Sequence, residues 1–332
     1  MPKRGHQKLK LLYTLDILKK YSDEENPLNA SQIVSYLSDF GVEAERKSVY
    51  DDIACLEFYG CDIIKCEDSK KGWYIGSCEF ELPEIYLLCD AVRSVKFISR
   101  KKSRELIKKL SSMLSINQIK KHEKSVYFGD IDKSDNESVY YNIDTISAAI
   151  EDKKQIIITY SSRAISEDRK IINESRQMLI NPYALAWAND HYYLVGNYAK
   201  YDNLIHLRLD RIKKAEKTEK DVRHFSEVSP YKEKFDIADY TGRLFGMYGG
   251  ELKKVELCAD KKIAEQIFDR FSEDIFIKNV TENEFSFSVN VAFSDALVTY
   301  IINYGDKLKV ISPAELQDMI VKRAEDVLKL YD

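Results

Sequence analysis

The sequence predicts an α+β protein built of several domains. Length is the first reason: 332 residues exceed what one hydrophobic core usually serves. Composition is the second. The chain is 44% apolar, enough to fill packed cores, and 32% charged. The third is the succession of patterns. Helical periods come first, closely spaced strands run from Gln155 to Arg211, and strands alternate with helices from Leu252 onward.

Residues 1–80 read as a winged helix-turn-helix. Leu11, Leu15 and Leu18 fall at i, i+4 and i+7, predicting a helix over 8–21 that Asp23-Glu24-Glu25-Asn26-Pro27 breaks. Asn29 is the expected N-cap of a second helix, with Ile33, Leu37 and Phe40 on one face and Gly41 at its end. A third helix, from about Glu45 to Phe58, turns Val49, Ile53 and Leu56 inward. Two short strands follow, 62–66 and 72–75. Three helices and a hairpin make the winged motif. Its third helix would read DNA, with Arg46, Lys47, Ser48 and Tyr50 on the outward face and Lys70 and Lys71 at the wing tip. Asp51 and Asp52 oppose phosphate, so one accepts from a cytosine amino group or both brace the motif. Charge supports a local basic surface. The net charge is −4, yet residues 1–20 carry six Lys and Arg against one Asp.

Residues 81–138 read as a helical linker. Pro83 suits a first helical position. Ile85, Leu88 and Val92 form one apolar line; Leu106, Leu110, Met113 and Leu114 form another. Between them Arg100-Lys101-Lys102 is read as a solvated face, with a second DNA-backbone contact as the competing reading. Gly129 to Ser138 is polar and marks a boundary.

Residues 139–215 pair a short helix, 144–152, with about five strands, which suggests a small, strongly bent barrel. In the segment from Ile205 to Ile212, Ile205, Leu207 and Leu209 alternate with His206, Arg208 and Asp210. Arginines can take an anion through paired hydrogen bonds, and tyrosines can stack on a base. Tyr160, Tyr183, Tyr193, His206, Arg208 and Arg211 are therefore the candidate ligand residues. Asp210 is expected to orient Arg208 or Arg211. Tyr183 and Trp187 also have a strong reading as core.

Here a resemblance appears. Pro182-Tyr183, Tyr192-Tyr193-Leu194-Val195 and Arg208-Leu209-Asp210-Arg211-Ile212 resemble the signature of WYL domains of bacterial transcriptional regulators. Tyr192 stands where that family has tryptophan, which keeps an aromatic ring but not an indole N–H. The segment RKSVYDDIACLEFYG, residues 46–60, is similar to the recognition helix of the winged domains that precede WYL domains. The resemblance implies an Sm-like or SH3-type barrel that senses a nucleic-acid strand, a nucleotide or another anion. It also implies that 216–250 is a connector, by the similarity of Phe245-Gly246-Met247-Tyr248-Gly249-Gly250.

From residue 251 the pattern is β-α-β-β-α-β-α, a ferredoxin-like plan that resembles the extension following WYL domains. Ser294 is an expected N-cap, and Ser312-Pro313-Ala314-Glu315 reads as a capping box.

Nothing in the sequence points to catalysis. It has no Walker loop, no G-x-G-x-x-G and no G-x-S-x-G. The histidines at 6, 122, 191, 206 and 224 have no metal spacing, and the cysteines at 55, 61, 66, 78, 89 and 258 form no C-x-x-C pair. No metal or cofactor is expected. No apolar run reaches the roughly 18 residues of a membrane span, and a reduced, cytoplasmic chain is expected. The expected function is a ligand-responsive, homodimeric regulator that binds operator duplex. The alternative is an accessory or defence-associated protein whose barrel binds RNA or single-stranded DNA for another effector.

Overall fold

The computed structural model describes residues 4–67, 71–76, 80–125, 133–272 and 275–331. The chain divides into two units, Met1–Glu137 and Ser138–Asp332.

The first unit begins with three helices, α1 (Arg4–Tyr21), α2 (Ala30–Asp39) and α3 (Arg46–Tyr59), and a two-stranded antiparallel sheet, β1 (Ile63–Cys66) with β2 (Gly72–Ile75). Asn29 caps α2: its side chain accepts from the amides of Ser31 and Gln32, and Gln32 returns a bond to the Asn29 amide at 2.9 Å. Gly60, at φ 103°, ends α3. Ile17, Leu18, Ile33, Leu37, Val49, Ile53, Leu56 and Trp73 fill one core. Strand β2 is tied to the turn before α2, since Trp73 and Leu28 exchange backbone bonds of 2.8 and 2.9 Å. Gly72 makes that approach possible, because a Cβ there would stand 2.5 Å from the Leu28 carbonyl.

Three more helices follow, α4 (Leu82–Ser94), α5 (Arg100–Ser111) and α6 (Ile116–Ser125). The sequence suggested two. Helix α5 ends at Ser111, so Met113 and Leu114 fall beyond it, and α6 follows as a separate helix packed on the same core through Ile119. The buried line of α4 is Ile85 and Cys89, whereas Leu88 is part exposed. Lys133 joins α4 to α5. Its ammonium donates to the carbonyls of Val92 and Val95 at 3.1 and 2.7 Å and to the Ser103 hydroxyl at 2.8 Å.

The second unit opens with α7 (Val139–Glu151) and a five-stranded antiparallel sheet: β3 (Lys154–Ile165), β4 (Ile171–Ala188), β5 (His191–Tyr198), β6 (Leu204–Arg208) and β7 (Ile212–Asp221). The order is β6-β5-β4-β3-β7. The expected barrel is not closed by hydrogen bonds: β6 and β7 are the edges, joined by a 3-10 turn at Leu209–Arg211. Two expected strands, at 171–172 and 178–186, are one long strand whose first seven residues are all exposed. A relay of buried amides crosses the sheet. Gln155 donates to Asn181, Asn181 to Asn197, and Asn197 to the carbonyls of Tyr201 and Asn203. One face packs on α7 through Ile146, Ile156, Ile158, Ile180, Leu194 and Leu209. The other carries Tyr193 and Val195 and is covered by the segment around α8 (Ile237–Gly242), through Tyr240, Leu244 and Met247.

The remaining elements are β8 (Leu252–Asp260), α9 (Ala264–Phe271), β9 (Phe276–Val280), β10 (Glu284–Ala292), α10 (Asp295–Ile302), β11 (Leu308–Ser312) and α11 (Ala314–Leu328). This is the expected element order, in an antiparallel sheet β11-β8-β10-β9. Ser294 caps α10 as expected. The expected capping box at 312–315 does not form: Pro313 takes the cap position, and Glu315 pairs with Lys253 at 2.8 Å.

Candidate nucleic-acid interface and ligand cluster

In the first unit, burial of Val49, Ile53 and Leu56 turns Arg46, Lys47 and Tyr50 to solvent. A second set of bonds fixes α3 on α1. Lys10 pairs with Asp52 at 2.9 Å and donates to the Ser48 carbonyl at 3.1 Å, while Thr14 donates to Asp52 at 3.3 Å. Asp52 is thus buried and balanced by Lys10, which resolves one aspartate as a brace; Asp51 stays exposed. The Tyr50 ring meets Trp73 edge-on at 5.1 Å.

Arg46, Tyr50 and Lys71 come together around a hollow of about 480 Å³, with Trp73 as its floor. Lys65 shares this hollow and was not singled out in the sequence. Its ammonium lies 2.7 Å from Glu67, so part of its charge is answered locally. Arg46 and Lys71 also border a second hollow beside Ser31 and Gln32, at the start of α2, whose amides are taken by the Asn29 cap. Lys47 and Ser48 do not line either hollow, and the Ser48 hydroxyl donates to its own helix start, the Glu45 carbonyl, at 2.8 Å. Lys70 lies outside the described residues.

In the second unit, β5 and β6 set Tyr193 directly opposite Arg208. The chain then leaves the sheet. Arg208 grips Asp210 through two bonds, Nε–Oδ1 at 3.0 Å and Nη2–Oδ2 at 2.7 Å. This fork fixes the guanidinium, as expected of Asp210. Tyr160, on β3, and Tyr193, on β5, are both buried. Burial pushes the Tyr193 phenol above its ordinary range, against the pull of the Arg208 charge. Arg211 is exposed and forms no hydrogen bond or ion pair among the described residues. Arg208, Arg211 and Tyr160 all act electrostatically on the Tyr193 phenol, although Tyr160 packs into the core on the α7 side of the sheet and Tyr193 into that on the α8 side.

Tyr183 and His206 are held elsewhere. The Tyr183 hydroxyl donates to the Arg223 carbonyl at 2.8 Å, and its ring packs on Phe225 and Phe235. Burial pushes that phenol up to about 12. His206 stacks on Tyr240, with Nε2 at 3.0 Å from the Tyr240 hydroxyl. Burial pushes its imidazole down to about 4, so the ring is neutral at ordinary pH. Trp187, read chiefly as core, is instead 57% exposed, with its ring 6.4 Å from that of Tyr192. The end of the β4–β5 hairpin therefore carries an aromatic pair that the apolar pattern did not reveal.

Residues 141–217 match the WYL domain and residues 251–328 match the WCX domain. The chain carries a WYL domain and a WCX domain. Tyr160, Tyr193, Arg208 and Arg211 all lie within the WYL match. Among solved structures, the chain is similar to proteasome accessory factor B/C (PafBC) of Arthrobacter aurescens. Identity is 15%, with 97% of this chain and 46% of that chain covered and a TM-score of 0.26. It is also similar to the crystal structure of a hypothetical protein, at 11% identity over 69% of this chain and 54% of that one, with a TM-score of 0.17. This chain therefore spans about half the length of each. A search of curated proteins found no match. Among the described residues, no helix is long and apolar enough to cross a membrane, and no group of three or more His, Cys, Asp or Glu could hold a metal ion.

Proposed function

We propose that this protein is a DNA-binding transcriptional regulator of the WYL type, acting as a cytoplasmic homodimer. Residues 1–80 serve as a winged helix-turn-helix, 81–138 as its helical linker, and 251–332 as a ferredoxin-like extension. Helix α3 enters the major groove, and Arg46 takes a guanine edge or a phosphate. Lys71 and Lys65 meet the backbone, with Lys47 beside them. The WYL domain takes a nucleic-acid strand or nucleotide-like anion. Arg211 and the fixed Arg208 receive phosphate, and the tyrosines and the Trp187–Tyr192 pair accept a base by stacking. Ligand shifts the dimer between a form that holds operator duplex and one that does not.

The convergence of Arg46, Tyr50 and Lys71 on one hollow, in a chain that also carries a WYL domain, supports this reading most. Paired substitutions test it. Arg46→Ala with Lys47→Ala should abolish duplex binding and leave single-strand binding in place. Arg208→Ala with Arg211→Ala should remove the response to an added oligonucleotide and leave duplex binding in place. The exposed Trp187 ring, with the partly buried Tyr192 beside it, favours a second reading, an accessory protein whose WYL domain holds RNA or single-stranded DNA for another effector. That reading gains if only the arginine pair of the WYL domain affects nucleic-acid binding of any kind.

A further inference from the structure

Of the described residues that line the two hollows beside Arg46 and Lys71, all but one come from residues 21–73. The exception is Asn117, on α6. It borders the second hollow, of about 840 Å³, together with Tyr21, Ser31 and Tyr36. Arg46 and Lys71 line both hollows, so the two form one continuous surface. The place of Asn117 on it is fixed from either side along α6. Before it, the Ser115 hydroxyl donates to the buried Asp23 carboxylate at 2.5 Å and accepts from the Gln118 amide at 3.1 Å. The Gln118 side chain returns a bond to the Ser115 amide at 3.0 Å. After it, Lys121 pairs with Glu25 at 2.7 Å. Both acids belong to the turn between α1 and α2, so α6 is fastened to that turn at two points.

The two phenols are set as firmly. Tyr21 of α1 and Tyr36 of α2 stack with centroids 4.2 Å apart and planes 10° from parallel. The lining thus joins two cations with an amide, a hydroxyl and two phenols, all of them groups that donate to phosphate oxygens. Among the described residues it holds no carboxylate. Of the acids in the turn beneath, Asp23 is held by Ser115 and by Asn26 at 2.8 Å, and Glu25 by Lys121. The amides of α2 are taken by Asn29, so side chains would make the contact. A sugar-phosphate backbone that meets Arg46 and Lys71 continues along this same surface.

We propose that α6 is part of the duplex interface. Asn117, with the Tyr36 and Ser31 hydroxyls, takes backbone phosphates that flank those met by Arg46 and Lys71. The inference rests on the duplex-reading role given to α3 above. It makes the helical linker a DNA contact as well as a connection. Neutral donors release no counterions, so these contacts add affinity without adding salt dependence.

Binding of the full chain to duplex DNA from its own upstream region, over a salt series, tests the assignment. Asn117→Ala should weaken binding about tenfold at every salt concentration and leave the slope of log affinity against log salt unchanged. Tyr36→Phe, which keeps the stack on Tyr21, should weaken it in the same way. Asn117→Lys puts a cation against the same phosphate, so it should tighten binding and steepen the slope by about one. Ser112→Lys adds the same charge outside both hollows and should change neither quantity. Alanine suits a helix better than asparagine, so weaker binding by Asn117→Ala does not come from a lost fold, which thermal unfolding checks. Wild-type affinity and slope in both Asn117 variants overturn the inference. Equal steepening by Asn117→Lys and Ser112→Lys overturns it too, since the effect is then one of net charge. Either result leaves the role of Arg46 standing, provided that Arg46→Ala makes the slope shallower. If Arg46→Ala changes nothing, the reading of α3 falls and this inference falls with it.

Discussion

At the scale of single residues, the same side-chain type does different work according to what surrounds it. Asp52 and Asp51 are adjacent, yet one is buried against Lys10 and Thr14 and the other faces water. Asp52→Ala strands the Lys10 ammonium beside the core and should cost about 1–3 kcal/mol of stability in denaturant unfolding. Asp51→Ala should change stability little. His206 gives a pH signature. Its folded value, about 4, lies below the ordinary 6.5, so the unfolded chain binds the proton more readily. This group's contribution is therefore complete above pH 6.5 and declines as pH falls from 6.5 to 4. His206→Phe should flatten that part of the stability profile, measured by urea unfolding at stepped pH. Of the ligand candidates, sequence alternation found Tyr193 and Arg208 because they share a sheet face. It could not separate them from His206, which occupies the same face but is walled in by Tyr240. Burial by a segment some 35 residues away leaves no local trace in the alternation.

At the scale of elements, caps and periods were the legible part. Asn29, Gly60 and Ser294 end or begin helices where their chemistry requires. The pattern failed where polar strands lie at an edge. Strand β7, with the sequence IKKAEKTEKD, has charges on most positions and no strand period, so the connector expected from residue 216 begins inside it; as an edge strand it is protected by those charges. The alternation through Arg208-Leu209-Asp210 continues past the true strand end, because a 3-10 turn can also bury Leu209. Two elements carry predictions. Gly72→Ala forces β2 away from Leu28, and should cost about 1–3 kcal/mol and loosen duplex binding with it. Asn181→Ala leaves Asn197, Gln155 and the Arg223 amide without their shared partner, and should cost at least about 1–3 kcal/mol. Thermal and denaturant unfolding check both.

At the scale of the whole molecule, an acidic chain carries two separate basic regions, one around α3 and one along α5. Net charge hides both, because the acidic residues lie mainly elsewhere. The central claim joins a duplex-reading unit to a WYL domain that controls it, and it predicts a salt-dependent affinity that a ligand changes. The direct measurement is equilibrium binding of the full chain to duplex DNA from its own upstream region, over a salt series, with and without a short single-stranded oligonucleotide. The account predicts steep loss of affinity with salt, a shallower slope for Arg46→Ala, and a shift on adding the oligonucleotide that Arg208→Ala abolishes. Duplex affinity indifferent to salt, or equal in wild type and Arg46→Ala, would contradict it.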